Sequence, residues 1–184
     1  SLPSSKSSLS HNFVNTVSPE SETSVWVGTM SGVDNFNPLT GVFEDFHFYN
    51  ANGNVYMKPG IQVCPVGSVC FVRSDDRLLY YCEMGNDTLR PIRYKDFKST
   101  SFVTAFDVIS SSLLLAGNKD GIVYTVSKSG ATNILFSMHS QVTCIKALKT
   151  GSFVICTANG DIKIIDGKTY KEIGYVSVYR RLHG

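Results

Sequence analysis

Short apolar runs of four to eight residues alternate with polar turns along most of the chain. The stretch LLLAGNKDGIVYTV at 113–126 is typical, because two apolar runs flank the polar residues NKDG. Runs rich in valine, isoleucine, phenylalanine and tyrosine predict β-strands, and glycine, asparagine and aspartate between them predict tight turns. We find no convincing helical period, so the pattern predicts an all-β fold.

The strand–turn–strand pattern repeats with a nearly constant spacing. FVTAFDV at 102–108 aligns with QVTCIKAL at 141–148 when the offset is 39 residues, and the same offset carries Gly121 onto Gly160. A repeat of about 40 residues made only of strands predicts four-stranded units that stack to bury their apolar faces. The turn anchors of the four repeats are Gly32, Arg77, Gly121 and Gly160.

The two clearest repeats allow each strand to be placed. We predict strands at 102–108, 113–117, 122–127, 133–138, 142–148, 153–158, 161–166 and 172–178. Weaker copies of the strand–turn–strand pattern lie at 24–37 and 68–83. Residues 1–24 are serine-rich and predict a flexible lead-in, within which NFVNTV could add a strand, so the blades are expected over 25–184.

Composition and charge indicate which partners and which cellular location to expect. The 184 residues carry a net charge of +2 and contain no apolar run of 18 residues, so neither a nucleic acid nor a membrane is an expected partner. Lys163 alternates with isoleucines, which predicts a solvated strand face rather than a phosphate contact. The five cysteines lie in or beside apolar runs without metal-binding spacing, which predicts free thiols, no metal site and an intracellular (cytoplasmic or nuclear) location. We also expect no cofactor.

One repeat resembles a known family. MHSQVTCIKALKTGSFVICTANGDIKIIDGKT, at 138–169, is similar to a WD-type β-propeller blade, with His139-Ser140 in place of Gly-His and ANGDIKIID at the usual Trp-Asp ending. Neither a Gly-His nor a Trp-Asp pair is present, so the hydrogen-bond network of that family is not carried over. VWVGTMSGVDNFNPLTGVFEDF also resembles the short repeats of bacterial sensor propellers.

The resemblance implies a β-propeller or a part of one, with about four four-stranded antiparallel blades. Rings of that family usually close with seven or eight blades. Four blades would therefore be half a propeller, completed in cis or in trans by missing blades. A closed four-bladed ring is the alternative.

The motifs predict a binding module rather than an enzyme. No nucleophile elbow and no glycine-rich phosphate loop followed by a helix can be found. We therefore expect a non-enzymatic scaffold that binds other proteins or peptide motifs in an intracellular complex. A regulatory or catalytic segment of a larger kinase, GTPase or hydrolase is the alternative.

The turns and inter-blade links of one propeller face are the expected binding surface, because equivalent positions of stacked repeats align. The candidate partner-binding residues are Met30, Ser31, Asp75, Asp76, Asn118, Lys119, Asp120, His139, Gln141 and Asn159. The aromatic run VFEDFHFY at 42–49 has two interpretations: an outer strand packed on a neighbouring blade, or a peptide-binding edge.

Overall fold

The computed structural model of the chain describes residues 5–50, 52–95 and 102–177. All regular secondary structure in these residues is β, which confirms the all-β prediction. The strands are β1 (Ser5–Lys6), β2 (Val14–Ser21), β3 (Ser24–Thr29), β4 (Gly32–Asn37), β5 (Val42–Tyr49), β6 (Val55–Tyr56), β7 (Gly60–Val66), β8 (Val69–Ser74), β9 (Leu79–Glu83), β10 (Asn86–Pro91), β11 (Val103–Ser110), β12 (Leu113–Asn118), β13 (Ile122–Ser127), β14 (Thr132–Ser137), β15 (Val142–Ala147), β16 (Ser152–Thr157), β17 (Asp161–Asp166) and β18 (Glu172–Ser177). The described part of the chain contains no helix that could cross a membrane.

Sixteen of these strands form four antiparallel ladders in chain order. Ladder 1 is β2–β5, ladder 2 is β7–β10, ladder 3 is β11–β14 and ladder 4 is β15–β18. Ladders 1 and 2 belong to one compact unit, Ser1–Ile92, and ladders 3 and 4 to a second, Arg93–Gly184; we call them unit 1 and unit 2. In unit 1 the outer strands β5 and β10 also pair in parallel, and β1 and β6 pair with β5.

The strands predicted for the two clearest repeats all occur within two residues of their expected bounds, and residue 178 lies outside the described residues. The first repeat begins earlier than expected. β2 lies inside the predicted lead-in and is the strand that NFVNTV allowed. It pairs with β3 along its length, but its side chains are mostly exposed, so a serine-rich composition is compatible with an edge strand. Flexibility of the remaining lead-in stays a prediction, and residues 1–4 lie outside the description.

The second and third strands of every ladder are joined by a four-residue turn; in ladder 1 its last residue, Gly32, already pairs with its first, Thr29, as part of β4, whereas in the other three ladders the last turn residue precedes the strand. The last residue of the turn has a positive φ, at Gly32 (140°), Arg77 (61°), Gly121 (80°) and Gly160 (86°). Its first residue is a buried polar side chain: Thr29, Ser74, Asn118 and Thr157. Asn118 Oδ1 accepts a hydrogen bond from the Ile122 amide at 2.9 Å, and Thr157 Oγ1 accepts one from the Asp161 amide at 3.1 Å. The anchors found in the sequence therefore mark the turns where the chain needs a left-handed residue.

The first strand of every ladder (β2, β7, β11 and β15) is irregular at its second residue. The ladder register shifts at Asn15, Ile61, Thr104 and Thr143, which are bulged. Two of these side chains reach the next ladder. Thr104 Oγ1 donates a hydrogen bond to the Val142 carbonyl at 2.5 Å, and Asn15 Nδ2 donates one to the Gly60 carbonyl at 3.3 Å. Each unit thus joins its two ladders by an equivalent hydrogen bond, which is accepted by the first residue of the second ladder's first strand.

Consecutive ladders also bury a shared apolar core in each unit. The core of unit 1 contains Trp26, Val33, Phe46, Phe48, Val63, Cys70, Val72, Tyr80, Cys82 and Leu89. The core of unit 2 contains Ala105, Leu115, Val123, Met138, Val142, Ile145, Phe153, Ile155 and Ile165. Because Phe46 and Phe48 are 0% and 1% exposed, the run VFEDFHFY packs on a neighbouring ladder and does not present a peptide-binding edge.

Arg77 is the one turn anchor that is not glycine, and its φ of 61° is strained for a residue with a Cβ. We expect Arg77→Gly to raise the free energy of unfolding by about 1 kcal/mol over Arg77→Ala, which removes the same side chain but keeps the strain. Urea unfolding of the two variants measures this difference. Equal stabilities would show that the turn tolerates a Cβ at no cost.

Gly117 permits the close approach of ladders 3 and 4, since a Cβ there would lie 2.6 Å from Val142 Cβ. We expect Gly117→Ala to destabilise the protein by about 1–3 kcal/mol, the usual cost of overpacking a core. Gly174→Ala is the matched control, because its Cβ would meet Ile164 at an ordinary 3.5 Å. If both variants unfolded at the same urea concentration, the approach at Gly117 would not be tight.

Candidate interaction surfaces

The turns at one end of unit 2 lie together. A Cβ at Gly121 would lie 2.6 Å from the Ser140 carbonyl oxygen, so the β12–β13 turn packs on the link between ladders 3 and 4. The Ala158 amide donates a hydrogen bond to the Gln141 carbonyl at 2.9 Å, which attaches the β16–β17 turn to the same link. We call this surface the unit 2 rim, and it contains the predicted residues Asn118, Lys119, Asp120, His139, Gln141 and Asn159.

Five of these six side chains are exposed, and Asn118 is not. The Asn118 carboxamide is fully buried and accepts hydrogen bonds from the amides of Asp120 and Ile122, so it shapes the turn from within. His139 has a φ of 57°, and its amide donates to Ser137 Oγ at 3.1 Å. Binding of a partner by the exposed residues stays a prediction.

A cavity of about 440 Å³ opens beside the unit 2 rim, between the end of β14 and one face of β17 and β18. Two predicted residues, His139 and Asn159, line it, and the others are Ser137, Met138, Asp161, Lys163, Glu172 and Tyr175. Lys163 Nζ lies 3.0 Å from Glu172 Oε2 and 4.8 Å from the centre of the Phe136 ring. The alternating sequence pattern predicts a solvated Lys163 side chain. In the structure this side chain lies in a polar cleft and is only 18% exposed.

The turns of unit 1 are arranged in the same way. A Cβ at Gly60 would lie 2.9 Å from the Gly32 carbonyl oxygen, and Gly60 pairs with Ser74 in the adjacent strand. The β3–β4 and β8–β9 turns therefore flank the segment that leads into β7. We call this surface the unit 1 rim, and it contains the predicted residues Met30, Ser31, Asp75 and Asp76.

Asp76 is engaged by a lysine that sequence analysis did not identify. Lys58 Nζ donates hydrogen bonds to Asp76 Oδ2 and, at 2.5 Å, to the Tyr80 hydroxyl, which in turn donates to Asp76 Oδ2 at 2.7 Å. The ammonium lies 4.6 Å from the centre of the Tyr80 ring and 5.4 Å from that of Phe48. Lys58 is separated from Asp76 by 18 residues, so no local motif could indicate the pair.

Burial and hydrogen bonding set the charges of this cluster. Burial lowers the pKa of Lys58, but the hydrogen bonds to Asp76 and Tyr80 outweigh it and leave that pKa above its usual value. Burial raises the pKa of Asp76, and the bonds from Lys58 and Tyr80 outweigh it and lower the pKa. Burial raises the pKa of Tyr80 to about 12. At neutral pH the lysine and aspartate are charged, so the cluster fixes the segment before β7 and leaves Asp75 as the exposed acid of the turn.

A buried carboxyl pair lies elsewhere in unit 1. Asp34 on β4 and Asp45 on β5 face each other across the ladder and are 0% and 1% exposed. Ser10 Oγ donates to Asp34 Oδ2 at 2.7 Å, and His47 Nε2 lies 3.9 Å from Asp45 Oδ2. Burial and the hydrogen bond with Asp45 raise the pKa of Asp34 to about 7. Because the Asp34 carboxyl is enclosed, its titration affects the stability of ladder 1.

Metal binding has no candidate site in the described ranges, where no group of three or more histidine, cysteine, aspartate or glutamate side chains could hold an ion. The cysteines are all free: Cys64, Cys70 and Cys82 are buried, Cys156 is half-buried and Cys144 is exposed.

Comparisons with known proteins support the fold. No family model and no curated protein matches the sequence. Similar solved structures include the computationally designed Ika4 protein (TM-score 0.58, 17% identity, 85% of this chain and 94% of that one). They also include the WD40 β-propeller domain of Doa1 (TM-score 0.63, 16% identity, 90% and 53%) and the Neurospora crassa Pan2 WD40 domain (TM-score 0.61, 14% identity, 90% and 50%).

These likenesses confirm a β-propeller, or a part of one, built from antiparallel four-stranded blades. The chain spans about half the length of the two WD40-domain structures that it matches. Identities below a fifth support the fold and not a shared activity.

The buried Asp34 carboxyl gives the protein a predictable pH dependence. The pKa of Asp34 rises from an ordinary 3.8 to about 7 on folding, so its stability contribution is complete below pH 4 and is lost as the pH rises towards 7. We expect Asp45→Asn to flatten this profile and to raise the free energy of unfolding at pH 8 by about 1 kcal/mol or more. Urea unfolding between pH 4 and 9 measures it. Asp120→Asn, in an exposed turn, controls for the loss of one carboxylate, and parallel profiles for wild type and Asp45→Asn would refute the expectation.

Proposed function

We propose that the chain is a non-enzymatic propeller module that binds other proteins through its rims. The observation that carries this proposal is the unit 2 rim, where turns from consecutive repeats meet and expose Lys119, Asp120, His139, Gln141 and Asn159. In repeat proteins, residues at equivalent positions of stacked units form extended binding surfaces. Loops held by a rigid scaffold are also the usual place for binding residues.

The chemistry of the rim favours a polar partner segment. Lys119 and Asp120 place opposite charges side by side on one turn, and the adjoining cavity contains the Lys163–Glu172 ion pair. A partner peptide that carries an acidic and a basic side chain can pair its acid with a lysine of this surface and its base with an acid of this surface. Charged groups at the edge of such a surface mainly raise the rate of capture.

The five free cysteines support a reducing, intracellular setting for the complex. A regulatory or catalytic segment of a larger kinase, GTPase or hydrolase is the alternative function. The parent sequence discriminates between them, since a catalytic signature beside these repeats would favour the alternative.

The two ends of unit 2 give a matched test of the rim. A photo-crosslinking amino acid at Lys119 or Asn159, on the rim, should yield the same adduct in cells. The same amino acid at Lys149, in the exposed β15–β16 turn at the opposite end of ladder 4, should not. Lys119→Glu should also weaken the adduct formed through position 159 several-fold, because it reverses a charge that speeds capture.

Lys149→Glu, which makes the same charge change away from the rim, should leave that adduct unchanged. Adducts of equal yield and identity from positions 119, 159 and 149 would overturn rim binding.

A further inference from the structure

Four of the five cysteines form two directly opposed pairs across adjacent antiparallel strands. Cys70 on β8 lies opposite Cys82 on β9, and Cys144 on β15 lies opposite Cys156 on β16. Side chains at directly opposed positions leave the sheet on the same face, with Cβ atoms about 4.5–5.5 Å apart. Each pair therefore holds two thiols side by side on one face of its ladder.

The spacing of Cys144 and Cys156 suits a disulfide. The Leu148 amide donates a hydrogen bond to the Ser152 carbonyl at 2.8 Å, and the ladder runs from that point to the cysteines without a register shift. Because the two kinds of opposed pair alternate along antiparallel strands, Cys144 and Cys156 form a hydrogen-bonded pair, whose Cα atoms lie about 5.5 Å apart. Disulfides span Cα distances of about 4.4–6.8 Å, so a bond can close here without a change of register.

The same geometry makes the bond reversible. A disulfide holds its Cβ atoms about 3.5–4.5 Å apart, which is about 1 Å closer than opposed residues of a ladder usually lie. Closure therefore draws the two strands together and stores strain. Strained disulfides are reduced more readily than relaxed ones, so this pair suits a bond that forms and breaks and not a permanent crosslink.

Access distinguishes the two cysteine pairs. Cys144 is exposed and Cys156 is half-buried, so a reagent in solution reaches Cys144 first. Cys70 and Cys82 are 0% and 1% exposed and belong to the core of unit 1. The same opposed arrangement is thus accessible in ladder 4 and enclosed in ladder 2.

We propose that Cys144 and Cys156 form a site of reversible covalent modification, at which a low-molecular-weight disulfide such as glutathione disulfide oxidises them to an intramolecular disulfide. The Cys144 thiolate attacks one sulfur of glutathione disulfide, whose S–S bond breaks and releases one glutathione thiolate. The Cys156 thiolate then attacks Cys144 Sγ, which forms the Cys144–Cys156 bond and releases the second glutathione. The two cysteines lose two electrons and two protons, which convert glutathione disulfide to two molecules of glutathione thiol.

The surroundings of Cys144 determine the rate of the first attack. Burial raises the pKa of Cys144, Cys156 and Asp107 raise it further, and Lys146 offsets part of the effect. At neutral pH most of this thiol is protonated, so the first attack is slow. The Cys156 thiol is within hydrogen-bond reach of Cys144, so the second attack is intramolecular. Its high effective concentration favours the protein disulfide over the mixed disulfide with glutathione.

This inference goes beyond partner binding and rests on the register of ladder 4, so it can fail while rim binding holds. With glutathione mostly reduced, the pair remains a dithiol, as in the structure. A rise in glutathione disulfide would link β15 to β16 covalently. The extent of modification would therefore report the thiol–disulfide balance around the protein.

The test incubates the full chain in glutathione buffers of decreasing thiol-to-disulfide ratio. Acid quenching, alkylation of the remaining thiols in denaturant and peptide mapping by mass spectrometry then identify each oxidised cysteine. We expect a Cys144–Cys156 disulfide that accumulates as the ratio falls and disappears on addition of dithiothreitol. Cys70 and Cys82 are the matched internal control, because they have the same opposed arrangement without access, and they should remain thiols.

Two variants separate the two steps. Cys156→Ser removes the thiol that resolves the mixed disulfide, so glutathione should remain on Cys144 at a level at least about tenfold above that in wild type. Cys144→Ser removes the accessible thiol, so Cys156 should remain free. Near-UV circular dichroism confirms that both variants are folded.

Three results would each overturn the proposal. The first is a wild type that keeps both thiols in about a tenfold excess of glutathione disulfide. The second is glutathione that remains on Cys144 to the same extent in wild type and in Cys156→Ser. The third is oxidation of Cys70 and Cys82 to the same extent as Cys144 and Cys156, which would show that exposure does not select the site.

Discussion

One hydrogen bond, from a bulged side chain of one ladder to the first carbonyl of the next ladder's first strand, sets how the two ladders of each unit meet. The bulge turns Thr104 and Asn15 out of the regular strand alternation and towards the neighbouring ladder. Close approach then requires a residue without a Cβ beside the bond, and Gly117 and Gly28 occupy that position in the two units. The apolar cores form where this spacing allows side chains of both ladders to interdigitate. The bond thus fixes the spacing on which the packing depends.

Much of the fold could be predicted because its strongest constraints are local. A four-residue turn that ends in a left-handed residue needs glycine or a tolerant substitute, and the spacing of Gly32, Gly121 and Gly160 reveals the repeat. The strands follow from alternation between those turns. β2 was harder to predict because its stability comes from pairing with β3 and not from buried side chains of its own.

The candidate surfaces were predicted less completely, for a physical reason. The turn residues could be named from the repeat, and the structure brings them together within each unit. The contacts that decide which of them are available are long-range. Lys58 reaches Asp76 across the fold, and the Lys163–Glu172 pair forms across the cleft beside the rim. Asn118 shows the opposite case, since a polar turn residue that looks exposed in the sequence is enclosed and closes the turn.

The link between ladders 1 and 2 is ten residues long, from the end of β5 to the start of β7, whereas the link between ladders 3 and 4 has only four. The turn anchors of ladders 1 and 2, Gly32 and Arg77, are 45 residues apart, and those of ladders 3 and 4, Gly121 and Gly160, are 39 apart. This difference of six residues equals the difference in length between the two links. Insertions during evolution are tolerated at such a point, because they leave the bulge, the turn and the packing face of each ladder in place. Lys58 secures the longer link to the ladder that follows it. New sequence could enter the first link and acquire its own anchoring without altering the ladders on either side.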